Sequence, residues 1–156
     1  MFLKGEWILC AIFWSGSAPS ERMLGMARIL IVDDEHWCRV PLAKLLEFEG
    51  YETMTASDGL EAIDALAEKE ADLVLLDMMM PRMDGIGFLE AIRRDPKYQD
   101  LPVILVTAAH DRKKVAAAMA LGVRDYIFKA DCPFTRLLGI VQKNLGEVPQ
   151  EPAKGN

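Results

Sequence analysis

From residue 27 onward, short aliphatic or β-branched runs alternate with amphipathic stretches, so a period near two gives way repeatedly to one near 3.6. Strands are predicted at Ile29–Val32, Glu52–Thr55, Leu73–Leu76, Val103–Val106 and Asp125–Phe128. Helices are predicted at roughly His36–Glu49, Gly59–Glu70, Gly85–Arg94, Lys113–Leu121 and Phe134–Asn144. The third and fourth strands are unbroken apolar runs, as strands covered on both faces should be, and the strict alternation of strand and helix predicts an α/β fold with a parallel sheet. In the second helix Leu60, Ile63 and Ala67 form the apolar stripe, with Glu61, Asp64, Glu68 and Lys69 opposite. Ser57 or Asp58 is placed to cap that helix, and Gly50 and Gly122 sit where helices should end. Pro41, early in the first helix, is tolerable only near its first turn, which predicts a displaced start there.

The two ends do not share this pattern. Residues 1–25 hold Lys4, an apolar run from Trp7 to Trp14 and then small and polar residues, which resembles a weak signal peptide. Eight apolar residues fall well short of the roughly 20 that span a bilayer, so no membrane span is expected. The segment reads either as a targeting or membrane-surface element or, preferably, as an extension upstream of a functional chain starting near Met26. Residues 26–146 form the expected domain, and residues 147–156, rich in Pro and polar residues, a disordered tail.

A length of 156 residues suits one domain, and a hydrophobic content of 51% with 27% charged residues suits one core. Eighteen basic against 24 acidic residues leave a net charge of −6, which argues against direct nucleic-acid binding. Cys10, Cys38 and Cys132 are odd in number and widely spaced, fitting reduced thiols in a cytoplasmic protein, and with His36 and His110 they lack zinc-ligand spacing.

The chemistry collects at strand ends. Asp33 and Asp34 follow the first predicted strand, Asp77 the third, Thr107 the fourth and Lys129 the fifth. All strands of a parallel sheet run one way, so these side chains meet along one rim, where such sheets build their sites. Carboxylates crowded together repel and call for a cation, and hard oxygen ligands suit Mg²⁺. The Lys129 ammonium and Thr107 hydroxyl would then serve an anionic ligand, and a phosphoryl group fits. With no Gly-rich loop and no catalytic His in register, an Asp acting as phosphoryl acceptor is favoured over nucleotide hydrolysis. Asp77 stands alone at the central strand and is the better nucleophile, while the adjacent pair is better placed to hold metal. Met78, Met79, Met80 and Met83 read as loop packing, and Arg112, Lys113 and Lys114 as a solvated helix end.

Ile31-Val32-Asp33-Asp34-Glu35, the run from Leu73 through Asp77 and Pro81 to Asp84-Gly85, Val106-Thr107-Ala108-Ala109, and Asp125-Tyr126-Ile127-Phe128-Lys129 together resemble the receiver domain of two-component response regulators, over about residues 27 to 145. The resemblance implies a doubly wound, flavodoxin-like (βα)5 sheet of order 2-1-3-4-5. It implies that Asp77 is the phosphoacceptor, that Asp33, Asp34, Asp77 and the Met79 backbone carbonyl hold Mg²⁺, that Thr107 and Lys129 contact the phosphoryl group, and that Tyr126 turns inward as Thr107 moves. The donor would be a sensor histidine kinase or a histidine phosphotransfer protein, and the signal would leave through a downstream effector protein. The expectation is a single-domain response regulator in the cytoplasm, a phosphoacceptor and not a turnover enzyme.

One feature departs from the family, which usually places a cis-linked Pro after this Lys. Here Ala130 follows, and because a cis bond to a non-proline residue costs about 2.5–4 kcal/mol, a trans peptide and a rerouted loop are expected. Two other functions compete. A receiver-fold scaffold could act without phosphorylation, and a phosphatase of the haloacid-dehalogenase type also uses an Asp nucleophile, though it resembles D-x-D and this chain has Met79 at the second acid's position.

Overall fold

The computed structural model describes residues 26–108, 111–131 and 133–145. Segments 1–25 and 146–156, with Ala109, His110 and Cys132, lie outside the described residues, as do the expectations that fall on them.

Five parallel strands, β1 (Arg28–Val32), β2 (Glu52–Ala56), β3 (Leu73–Leu76), β4 (Val103–Thr107) and β5 (Asp125–Phe128), form one sheet in the order β2-β1-β3-β4-β5. Helices α1 (His36–Phe48), α2 (Gly59–Glu68), α3 (Gly85–Arg93), α4 (Arg112–Ala120) and α5 (Phe134–Leu145) connect and cover it. The expected order and parallel sense are those observed. Alternate side chains face opposite layers, as the pleat requires. Leu30, Val32, Val74, Leu76 and Leu105 pack with Leu66, Phe88, Leu89 and Ile92 on one face, while Ile29, Ile31, Leu75 and Ile104 pack with Leu46, Leu137 and Val141 on the other. Among the described residues no helix is long and apolar enough to cross a membrane.

Several local expectations change. The buried face of α2 is Gly59, Ala62 and Leu66, with Ile63 beside it, whereas Leu60 and Ala67 face outward. The start of α1 is not displaced: the helix begins at His36 and Pro41 lies inside it, on an exposed face. Thr107 does not follow β4 but ends it. The capping expectations hold. Asp58 accepts the Glu61 N–H at 2.9 Å, and Glu61 in turn accepts the Ser57 N–H at 2.8 Å. Gly50 and Gly122 adopt φ of 99° and 87°, and behind them the Tyr51 and Val123 amides return to the Leu46 and Ala118 carbonyls. These are the six-to-one bonds of a helix closed by a left-handed residue. The Lys129–Ala130 peptide is trans, as every described peptide bond is, and Lys129–Asp131 make one 3₁₀ turn into α5.

Candidate functional site

Register brings the acids together. Val32 sits opposite both Ala56 and Leu76, and the ladder continues one step past the strand ends, with the Asp33 amide bonded to the Ala56 carbonyl at 3.1 Å and the Asp77 amide to the Val32 carbonyl at 2.8 Å. Asp33 and Asp77 are therefore held by neighbouring strands at one height. Thr107 and Phe128 pair at the end of β4 and β5, which puts Lys129 on the same rim.

An open pocket of about 360 Å³ lies there, lined by Asp34, Glu35, Asp77, Met79, Thr107, Ala108 and Lys129. Asp33 and Asp77 are each only 6% exposed and Thr107 1%, whereas Asp34 is exposed. Carboxylate oxygens of Asp33, Asp34 and Asp77 all come within 4.8 Å of one another. The Lys129 ammonium spans them, 2.7 Å from Asp33 Oδ2, 3.2 Å from Glu35 Oε1 and 3.7 Å from Asp77 Oδ2.

The two buried carboxylates are oriented by backbone. Asp33 Oδ1 accepts the Glu35 N–H at 2.9 Å, and Asp77 Oδ1 accepts the Met78 N–H at 2.8 Å. The chain close behind Asp77 is fixed by Gly85, whose N–H donates to the Met78 carbonyl at 2.9 Å; a Cβ at Gly85 would stand 2.7 Å from the Asp77 carbonyl oxygen. Only glycine permits that approach.

The electrostatics follow from crowding. Burial first, and then the Asp33 charge, push the Asp77 carboxyl up to about 6 against the opposing pull of Lys129. Burial alone would lower Lys129, but the Asp33 hydrogen bond and the Asp77 charge outweigh it and hold the ammonium above its ordinary value. Among the described residues, the carboxylates of Asp33, Asp34, Glu35 and Asp77 thus gather beside the Lys129 ammonium, with the Arg39 guanidinium donating to the Asp33 carbonyl oxygen at 2.6 Å. That excess of hard oxygen donors and negative charge fits a divalent cation such as Mg²⁺.

Of the residues singled out from sequence, Asp33, Asp34, Asp77, Met79, Thr107 and Lys129 meet at this pocket. Met79 is 51% exposed, and its sulfur accepts from the Lys114 ammonium at 3.2 Å. Tyr126 is not brought in: its ring is 41% exposed and packs edge-on against Phe128 at 5.5 Å between centroids. Glu35 and Ala108 were not assigned a role from sequence. Glu35 occupies the N-cap position of α1 but makes no side-chain cap, because its carboxylate turns to Lys129 instead. Cys38, in the first turn of α1, lies 3.6 Å from Glu35 Oε1, and burial pushes its thiol up. The only signal for Glu35 was its place beside the acidic pair.

Comparison with known proteins identifies the family and the fold. Residues 29–142 match the family model described as the response regulator receiver domain. The probable transcriptional regulator ycf27 of Guillardia theta is 41% identical over 106 residues, 68% of this chain and 41% of its own. The response regulator MprA of Mycobacterium sp. (strain KMS) is 39% identical over 102 residues, 65% of this chain and 44% of its own. The chain thus spans less than half the length of these curated relatives. Among solved structures, the Vibrio cholerae chemotaxis protein CheY4 superimposes with a TM-score of 0.72 at 31% identity, covering 77% of this chain and 99% of that one. The signal receiver domain of a Syntrophus aciditrophicus signal transduction histidine kinase gives 0.71 at 32% identity, covering 80% and 94%.

Proposed function

Because this chain belongs to the response regulator receiver family, we propose that it accepts a phosphoryl group on Asp77 from the phosphohistidine of a sensor kinase or phosphotransfer protein and passes the signal to a protein partner. Receiver domains of this family are phosphoacceptors and not typical turnover enzymes. The observation that carries the reading for this chain is Asp77 itself, buried at the centre of the rim, aligned by the Met78 amide and faced by Lys129.

An Asp77 oxygen attacks the phosphorus, the P–N bond to the donor imidazole breaks, and the imidazole leaves as it takes up a proton. A carboxyl titrating near 6 is ionised at neutral pH, yet burial leaves it poorly solvated and therefore reactive. Asp33, Asp34, Asp77 and the Met79 carbonyl would hold Mg²⁺, which when bound supplies charge neutralisation for the phosphoryl oxygens. Lys129 is drawn from its carboxylate partners to the new phosphoryl charge, and the buried Thr107 hydroxyl stands at the pocket wall to bond it. Movement of Thr107 would open space for Tyr126 to leave its exposed position and turn inward, giving two surfaces for two charge states.

A scaffold acting without phosphorylation would follow if the altered chain after Lys129 disabled the site. Its support weakens because Lys129 reaches Asp33 from a trans-linked turn. A dehalogenase-type phosphatase lacks its second acid, since Met79 holds that position. Incubation with Mg²⁺ and acetyl phosphate should label the protein stoichiometrically, and Asp77→Asn should abolish the label. Label that persists in Asp77→Asn refutes the assignment.

A further inference from the structure

We propose that Asp58 and Arg82, which lie on two different loops, form a positioning clamp that sets the loop carrying the Met79 carbonyl. The proposal deepens the reading of the acidic pocket given above and rests on it for the ligand concerned.

The segment from Met78 to Gly85 leaves β3 and enters α3. Its two ends are closed by the Gly85 amide on the Met78 carbonyl, and within it the Met83 amide turns back to the Pro81 carbonyl at 2.6 Å. Its middle is held from outside, by the turn between β2 and α2. There Asp58 is 2% exposed and divides its carboxylate: Oδ1 caps α2 through the Glu61 amide, while Oδ2 accepts from Arg82 Nε at 2.7 Å and also pairs with Nη2. The adjacent Gly59 amide donates to the Met83 carbonyl at 3.0 Å, and a Cβ on Gly59 would lie 2.6 Å from Met83 Cγ, so the two loops meet without slack.

Arg82 reaches this contact only with φ of 62°, alone among described non-glycine residues in the left-handed region. Side chains disfavour that conformation, and it persists where surrounding contacts over-determine it. The guanidinium is otherwise half exposed, with Glu61 3.6 Å away as a second, solvated partner. An exposed ion pair contributes little to folding. A pair with one buried carboxylate, made by a strained residue three positions from Met79, is better explained by what it holds still. Freed of it, the Met79 carbonyl would sample positions in which it cannot complete an oxygen shell with Asp33, Asp34 and Asp77.

Glycine at residue 82 separates the clamp from the fold, because it keeps the left-handed backbone without steric strain while deleting the guanidinium. In the full chain, Arg82→Gly and Arg82→Ala should speed amide hydrogen exchange at Met83 and Gly85 in metal-free protein and leave Ile31 and Leu75 in the sheet unchanged. Calorimetric titration with Mg²⁺ should show affinity weakened on the order of tenfold, the scale for residues supporting metal ligands, with Arg82→Lys recovering part of the loss. Loop exchange unchanged in Arg82→Gly would overturn the clamp whatever the metal result. Faster exchange with wild-type Mg²⁺ affinity would overturn its link to the ligand. Wild-type protein that takes up no Mg²⁺ would overturn the pocket reading, and with it the ligand half of this proposal, while the exchange result still decides the clamp.

Discussion

Asp77, the proposed phosphoacceptor, shows how a residue suited to a chemical role can destabilise the fold that carries it. Its carboxyl is raised to about 6 from an ordinary value of 3.8, so the folded protein holds a proton there more tightly than the unfolded chain does. Stability from this group is therefore full below about 3.8 and is lost as pH rises through about 6. Discounted for solvent access, the penalty at neutral pH is on the order of 2 kcal/mol. In metal-free protein, Asp77→Asn should melt several degrees above wild type at pH 8, and the gap should close as pH falls from about 6 to about 4. Calorimetric melts in chelator check this, and a pH-independent gap would contradict it. The identity of Asp77 was legible in sequence because it ends an apolar run. The role of Glu35 was not, because a carboxylate beside two others carries no mark of whether it caps its helix or crosses to a lysine 94 positions away.

At the scale of elements, strand existence and helix existence were both readable, whereas orientation about a helix axis was not. In α2 the expected apolar stripe runs through Leu60, Ile63 and Ala67, and the buried one through Ala62 and Leu66 with Ile63 beside it. Packing chose the second because Gly59 must press against Met83. Helix α1 differs from expectation for a related reason. Pro41 has no N–H for the Trp37 carbonyl, yet burial of Ala43 and Leu46 and the closing bonds at Gly50 and Tyr51 hold the helix through it. Pro41→Ala restores that bond on an exposed face and should stabilise the protein by about 1–3 kcal/mol, read as a higher urea midpoint with an unchanged slope. A lower midpoint would show that the proline is compensated locally.

For the whole molecule, the pocket opens beside the start of α1, and α1 carries an outward apolar strip of Trp37, Leu45 and Phe48 around Pro41, with Trp37 77% exposed. On the proposed function a donor protein would approach this rim to reach Asp77, and apolar patches edged by charge mark protein contacts. Trp37→Ala should slow phosphoryl transfer from a phosphorylated histidine phosphotransfer domain by about tenfold or more, as for a large aromatic at an interface centre. Labelling by acetyl phosphate, which needs no such surface, should be unchanged. Equal loss with both donors would place Trp37 in the pocket's own support instead.

The residue pattern alone determined the alternation of strand and helix, and with it the parallel sheet. Parallel strands separated by one crossover each must deliver their C-terminal ends to one rim, and so Asp33, Asp34, Asp77, Thr107 and Lys129 were already gathered in one dimension. Tertiary structure decided the other two. Register set the height of Asp33 against Asp77, packing kept Tyr126 outward, and a turn 24 residues away in sequence reached Arg82 through Asp58. Those outcomes depend on contacts between segments distant along the chain, whose energies are set by shape and desolvation at the meeting point, and no local pattern of residues encodes them.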